Sequence, residues 1–294
     1  MIDLFNIPNS QENISIFYAD GLSWQTWKKP RKCEYVWIMC IGGGGGGGSA
    51  NVTGPGGSAN GGTGGASGAV TRVLFNSSQI PDILYIQVGT GGLGGTGSGN
   101  GSPGNKSWVG VLPNTTSTNI IVTSGTAAAT NGTSDGNLSV GETAATTTVA
   151  NFMSLGNFSS TAGVSGIGQQ NVNPLTSEIT TPGADGASSD SITIANGYSI
   201  NSSSISPQII GGIGSNTSPG GNGANGIISW KPFFSTGGAG GGNSVDDGTG
   251  NGLEGGNGGN GGIGSGGGGA GAGFANNYGK GGNGGNGLVI IISF

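Results

Sequence analysis

Histidine is absent from all 294 residues, and charge is scarce: 8 residues are Lys or Arg and 13 are Asp or Glu. Without an imidazole there is no Ser-His-Asp triad, no Cys-His pair and no His-ligated zinc or non-haem iron. The charged share of 7 % is far below the roughly 25 % of ordinary soluble domains. The net charge of −5 argues against a nucleic-acid partner, whose binding rests on an excess of Lys and Arg. Cysteine is limited to Cys33 and Cys40. They flank a stretch that reads as a strand, which puts them roughly 23 Å apart at about 3.3 Å per residue. A bridge needs Cα atoms within about 7 Å, so two free thiols are expected and no oxidising compartment is required. Long hydrophobic runs are missing too: 35–41 and 288–292 are the longest, far short of the ~20 residues that span a membrane as a helix. The opening MIDLFNIPNS shows no basic and apolar leader. Sequons such as Asn76, Asn114, Asn131 and Asn201 are expected by chance in so Asn-, Ser- and Thr-rich a chain.

Glycine fills the space left by these absences. It accounts for 71 residues, several times its usual share of about 7 %. Each glycine loses more backbone freedom on folding than any other residue. A folded chain of this composition therefore needs a contact that only glycine permits, and direct packing of backbone on backbone is that contact.

No segment carries a 3.6-residue apolar stripe with caps, so almost no helix is expected. Strands are expected at 13–18, 34–41, 69–75, 82–88, 108–112, 119–123, 146–150, 191–195, 226–230 and 288–294. The runs 35–41 and 288–292 are apolar at both parities, as strands buried on both faces are. They are expected to be central and adjacent, bringing the front and the end of the chain together.

Between the strands lie two kinds of glycine tract. One is near-pure glycine, at 42–48 and 266–269; the other repeats Gly-Gly-Asn, at 255–262 and 281–287. Three residues per turn is the period of the extended polyproline II helix, which makes no internal hydrogen bonds. Its N–H and C=O groups must find partners elsewhere. With glycine at two of every three positions, neighbouring copies can approach closely while each Asn projects outward. A flexible linker is the competing reading; Ile263, Phe274 and Tyr278, and the run straight into an apolar strand, favour packing. The expected fold class is all-β, sandwich-like strands combined with packed polyglycine II-type segments. The domains expected are an N-terminal attachment segment at 1–22 and a glycine-rich β domain at 23–294, with a Ser/Thr/Asn-rich insertion at about 111–225.

Motifs for chemistry fail in context. Gly89-Thr-Gly91-Gly-Leu-Gly94 has dinucleotide spacing and follows a strand, but the residues after it form no helix. Gly132-Thr-Ser134-Asp-Gly136 has the spacing of a nucleophile elbow and no histidine to activate the serine. The stretch 101–107 lacks the glycine that precedes the lysine of a phosphate loop. Asp246-Asp247 has no further spaced carboxylates, and the glycine tracts lack the Asp of calcium-binding repeats. No catalytic residue, cofactor or metal is expected, and the chain reads as a non-enzyme.

Aromatic residues are the remaining candidates. Trp24, Trp27, Tyr35 and Trp37 read as packing for the strand core. Trp108, Trp230, Phe233, Phe234, Phe274 and Tyr278 lie beside Gly- or Asn-rich stretches, where aromatics stack on sugars or seat in protein pockets. They are the receptor-binding candidates, with core filling as the alternative.

Three junctions of strand and glycine resemble a known family. Ser23-Trp24-Gln-Thr-Trp27-Lys-Lys-Pro30 precedes the strand 34–41, which runs into the glycines 42–48. A second strand runs into Val88-Gly-Thr-Gly-Gly-Leu-Gly-Gly95, and Gly284-Gly-Asn-Gly287 leads into the closing strand. Order and content are similar to the glycine-rich domain of bacteriophage tail fibres and related virion proteins, over about 20–100 and 237–294. The resemblance implies a virion component without catalysis, a tail-fibre, spike or tip subunit supporting host receptor binding. It implies other virion proteins as partners, a host surface glycan or outer-membrane protein as receptor, and no nucleic acid. A homo-oligomer is expected, a trimer among the options, located on the exposed surface or tail of the particle. The alternative is a secreted or surface glycine-rich protein that binds ice or acts as a scaffold.

Overall fold

The computed structural model describes residues 14–52, 59–124, 129–134, 156–161, 191–194, 198–201, 209–215, 218–230, 233–244, 253–273 and 277–294. The strand expected at 146–150 and most of the insertion lie outside them. Two short 3₁₀ turns, Ser77–Gln79 and Ser117–Asn119, are the helical structure among the described residues. The rest is strand or extended chain, and the fold is all-β.

Two antiparallel sheets form the base. The first has five strands: β1 (Ile14–Tyr18), β15 (Leu288–Ser293), β3 (Tyr35–Ile41), β6 (Val70–Asn76) and β10 (Gly156–Thr161), in that order across the sheet. The second orders β2 (Trp24–Lys28), β7 (Ile83–Gln87), β8 (Trp108–Gly110) and β9 (Ile120–Thr123). Smaller two-stranded pairs are β4 (Asn51–Val52) with β5 (Ala59–Asn60), β11 (Ser191–Ile194) with β12 (Tyr198–Asn201), and β13 (Ile228–Trp230) with β14 (Phe233–Ser235).

The central pair is the one the double apolar parity indicates. β3 and β15 lie side by side, Leu288 opposite Ile41 and Ile292 opposite Trp37. Successive side chains of a strand point to opposite faces, so each run supplies both faces of the sheet. Val36, Ile38, Cys40, Val289 and Ile291 face the second sheet and pack with Trp27, Leu84, Ile86, Val109 and Val122 in one buried cluster. Trp37, Met39, Ile41, Leu288, Ile290 and Ile292 form a second cluster on the opposite face, joined by Ile263. Trp27 and Trp37 are buried as core residues, whereas Tyr35 stays partly exposed and packs against Phe294 with ring centroids 5.9 Å apart.

β1 belongs to the first 22 residues and is an edge strand of the five-stranded sheet, paired with β15 throughout. Residues 1–13 lie outside the described residues. Asp20-Gly21-Leu22-Ser23 turns the chain from one sheet to the other, with Gly21 and Leu22 both in the left-handed region and Ser23 N–H bonded to Asp20 C=O at 2.8 Å. Two consecutive positive φ values mark a type I′ turn. Both cysteines are free, Cys33 just before β3 and Cys40 inside it.

Candidate functional site

Every strand that leads into a glycine tract delivers it to the same side of the sheets. From Ile41 the chain enters 42–49, and every one of these residues donates its N–H to another glycine-rich segment with a period of three. Gly42, Gly45 and Gly48 donate to Ala69, Ala66 and Thr63; Gly43, Gly46 and Ser49 to Asn105, Ser102 and Gly99; Gly44 and Gly47 to Gly285 and Gly282. Their carbonyls accept with the same period: Gly44 and Gly47 from Gly92 and Gly95, Gly45 and Gly48 from Gly267 and Ala270, Gly46 from Gly132. The segment is thus enclosed by six others, 62–69, 99–105, 129–134, 89–95, 277–287 and 264–273. Neighbours within this ring are bonded to each other as well, for example Gly101 to Gly132, Ala66 to Thr130, and Gly281 to Gly95.

Enclosure explains the run of seven glycines. A Cβ on Gly45 would overlap the carbonyl of Thr130, and on Gly46 that of Leu93. A segment with neighbours on all sides has no face left for a side chain.

Four more segments extend the array beyond the ring. Residues 253–262 bond to 277–287 through Gly258 N–H to Lys280 C=O and Gly261 N–H to Asn283 C=O, each at 2.8 Å. Residues 218–226, 236–244 and 209–215 continue outward by the same three-residue rule.

The Asn-punctuated tracts 218–226, 253–262 and 277–287 lie in that order on one outer row, which 89–95 continues. A segment at the edge of the array has one N–H in three without a backbone carbonyl to meet it. Here the side chain of the preceding segment meets it. Asn222 and Asn225 Oδ1 accept from the Asn257 and Asn260 N–H; Asn257 and Asn260 Oδ1 accept from Lys280 and Asn283; Asn283 and Asn286 Oδ1 accept from Gly94 and Gly91. These bonds are 2.7–3.0 Å long. Each asparagine does project outward and also reaches sideways, an acceptor the sequence reading leaves unassigned. The recurrence of Asn every third residue in three separate tracts is the signal that identifies it.

Chain direction sorts the connections into two poles. Segments 42–49, 89–95, 129–134, 209–215, 236–244 and 264–273 run away from the sheet pole, and 62–69, 99–105, 218–226, 253–262 and 277–287 return. The described ends of these segments, 49–52 with 59–62, 96–98, 215 with 218, 244 with 253 and 273 with 277, therefore gather at the pole opposite the sheets, the loop pole. At 96–98 the link is a type I′ turn, with Gly97 and Ser98 both at positive φ and Gly99 N–H bonded to Thr96 C=O.

This geometry divides the aromatic candidates. Tyr278 sits at the loop pole, half-buried against Ala272, one residue from Gly279, whose carbonyl accepts Ser49 Oγ at 2.8 Å. Phe274 lies outside the described residues. Trp108 is at the sheet pole in β8, with Lys106 Nζ 5.4 Å from its ring centroid. Trp230 and Phe233 are opposite each other in the β13–β14 hairpin, with Phe234 beside them opposite Ser229, also at the sheet end of the array. Trp108, Trp230, Phe233 and Phe234 thus lie towards the sheet end and Tyr278 towards the opposite end.

Among the described residues no group of three or more His, Cys, Asp or Glu is placed to hold a metal ion. A comparison with curated proteins finds no match. A family model described as a glycine-rich domain matches residues 20–293, from the turn before β2 to the last residue of β15. The chain belongs to this glycine-rich domain family.

Proposed function

We propose that this chain is a structural subunit of a bacteriophage virion, a tail-fibre, spike or tip protein that supports attachment to the host. The observation behind the proposal is the two-pole architecture. An array of polyglycine II type, stiffened by backbone hydrogen bonds, separates a sheet base from a loop pole that carries the 96–98 turn. In this reading the base faces other virion proteins, and β1, with the residues before it, is the side of attachment. The loop pole faces a host surface glycan or an outer-membrane protein. Specificity resides in loops set on a rigid support, and many copies on one particle, as a homo-oligomer, turn weak single contacts into avidity.

The test is immunogold imaging of purified particles with an antibody against this chain. Labelling on the tail or surface is expected; particles that lack the chain overturn the reading. The alternative class, a secreted or surface ice-binding protein, draws on the regular outer row. A thermal-hysteresis assay separates the two, because the asparagine-lined row is expected to give none.

A further inference from the structure

Eleven Asn-Gly pairs occur in the sequence, and eight of them, beginning at Asn100, Asn131, Asn222, Asn225, Asn257, Asn260, Asn283 and Asn286, fall in the array. Asn-Gly is the dipeptide most prone to spontaneous deamidation, because glycine puts no side chain in the way of ring closure. The glycine nitrogen gives up its proton and attacks Cγ of the asparagine. A C–N bond forms, ammonia leaves, and the resulting succinimide takes up water to open as Asp or isoaspartate. Isoaspartate adds one carbon to the main chain, which would put every later residue of that segment out of its three-residue register.

In all eight pairs the attacking nitrogen is occupied. Gly101 N–H is bonded to Gly132 C=O, Gly132 to Gly46, Gly223 to Asn257, Gly226 to Asn260, Gly258 to Lys280, Gly261 to Asn283, Gly284 to Gly92 and Gly287 to Gly89, at 2.7–2.9 Å. In seven of the eight the electrophile is fixed too. Oδ1 of Asn222, Asn225, Asn257, Asn260, Asn283 and Asn286 accepts an N–H from the next segment, and Asn100 Oδ1 accepts from Ser134. Ring closure requires breaking the bond on the nitrogen and swinging Cγ back over its own main chain. Both need the array to open locally.

We propose that the array is a chemical lock. It keeps eight latent succinimide sites closed, and their modification reports opening of the array, one isoaspartate then making the opening irreversible. The inference depends on the hydrogen bonding of the array and not on a viral role, so it stands or falls separately from the proposed function.

The test holds the purified full chain at pH 8.5 and 37 °C and follows deamidation and isoaspartate at each site by peptide-mapping mass spectrometry. Short synthetic peptides spanning each pair, under the same conditions, supply the unprotected rates. Deamidation of the folded chain is expected to be about a hundredfold slower at Asn257, Asn260, Asn283 and Asn286, the factor that an opening free energy of about 2.8 kcal/mol imposes. Protection below tenfold at these four sites overturns the proposal, and anything above supports it. A second arm uses Gly285→Ala, whose Cβ would overlap Gly262 C=O. Faster deamidation at Asn260, Asn283 and Asn286 is expected, and if the variant fails to fold, all eight sites should reach peptide rates. Unchanged rates in this variant overturn the proposal as well.

Discussion

Asn260 Oδ1 accepts the backbone N–H of Asn283 at 2.9 Å, while Asn283 C=O accepts the N–H of Gly261, the residue after Asn260. Side chain and main chain of one segment thus clasp the same residue of the next. Of each Gly-Gly-Asn triplet, the glycines serve close approach, and the asparagine replaces the carbonyl of a neighbour that the edge of the array lacks.

Replacing Asn260 with Ala should leave the fold intact and expose one amide. Loss of a single hydrogen bond at a wet edge costs about 0.5–1.5 kcal/mol. Hydrogen exchange at the Asn283 amide should accelerate, while the Gly282 amide, bonded to Gly268 C=O, should keep its protection. Equal exchange at Asn283 in variant and parent would remove the capping role.

A methyl group at the centre should be far worse than the loss of an edge cap. Gly46→Ala places Cβ against Leu93 C=O in a segment bonded on all sides. Overpacking a core typically costs 1–3 kcal/mol, and here main chain rather than a side chain has to move, so more than about 3 kcal/mol is expected. The control is Gly97→Asn in the 96–98 turn. Nothing lies within 4 Å of a Cβ there, and φ is +55°, a conformation asparagine tolerates. Denaturant unfolding of the two variants should differ clearly in midpoint; similar midpoints would mean the central segment is loosely packed.

Much of this organisation is legible in the sequence because glycine spacing and apolar parity are both local signals. The double parity of Tyr35–Ile41 and Leu288–Ile292 marks a strand with neighbours on both faces, and both faces are indeed covered. Trp24–Lys28 is harder to read. WQTWK sets its two tryptophans three apart, with no period-2 alternation, over only five positions before Pro30, and its pairing with β7 is what makes it a strand. β14 escapes notice for a similar reason, since Phe-Phe-Ser gains strand geometry only against Ile228–Trp230. Which segments neighbour each other in the array is not legible, because identical glycine tracts carry no side chains to choose a partner. The connecting strands and turns make that choice. The split of the aromatic candidates between two poles follows from chain direction and cannot be read from their Gly-rich surroundings alone.

Alkaline pH should weaken the base through Cys40. The residue is fully buried between the two sheets, and burial pushes its thiol well above the ordinary range because a thiolate there loses its hydration. In the unfolded chain the thiol ionises near 9.0. Above that pH the unfolded state has released the proton and the folded state has kept it. Stability therefore falls with rising pH, at up to about 1.4 kcal/mol per pH unit, and is unaffected by this group below about pH 8. Cys40→Val should flatten the decline between pH 9 and 10.5 in denaturant titrations. A parallel slope in variant and parent would assign the alkaline loss to other groups.

The loop pole should tolerate change that the array does not, and in the attachment role proposed above it alone should bear on host binding. Lengthening a surface loop is inexpensive, since each doubling adds only about 0.6 kcal/mol of closure entropy. A short Gly/Ser insertion carrying an epitope at 96–98 should leave the unfolding midpoint within about 1 kcal/mol of the parent and be accessible to antibody. Occupying that epitope should block attachment of the purified chain to host cells, because the antibody stands among the loops at that end. Trp230→Ser, at the partly exposed end of β13, should leave attachment unchanged, since the hairpin lies at the sheet end of the array. Loss of attachment in the Trp230 variant, with the antibody at 96–98 having no effect, would reverse the polarity of the molecule and make the sheet pole the receptor-facing end.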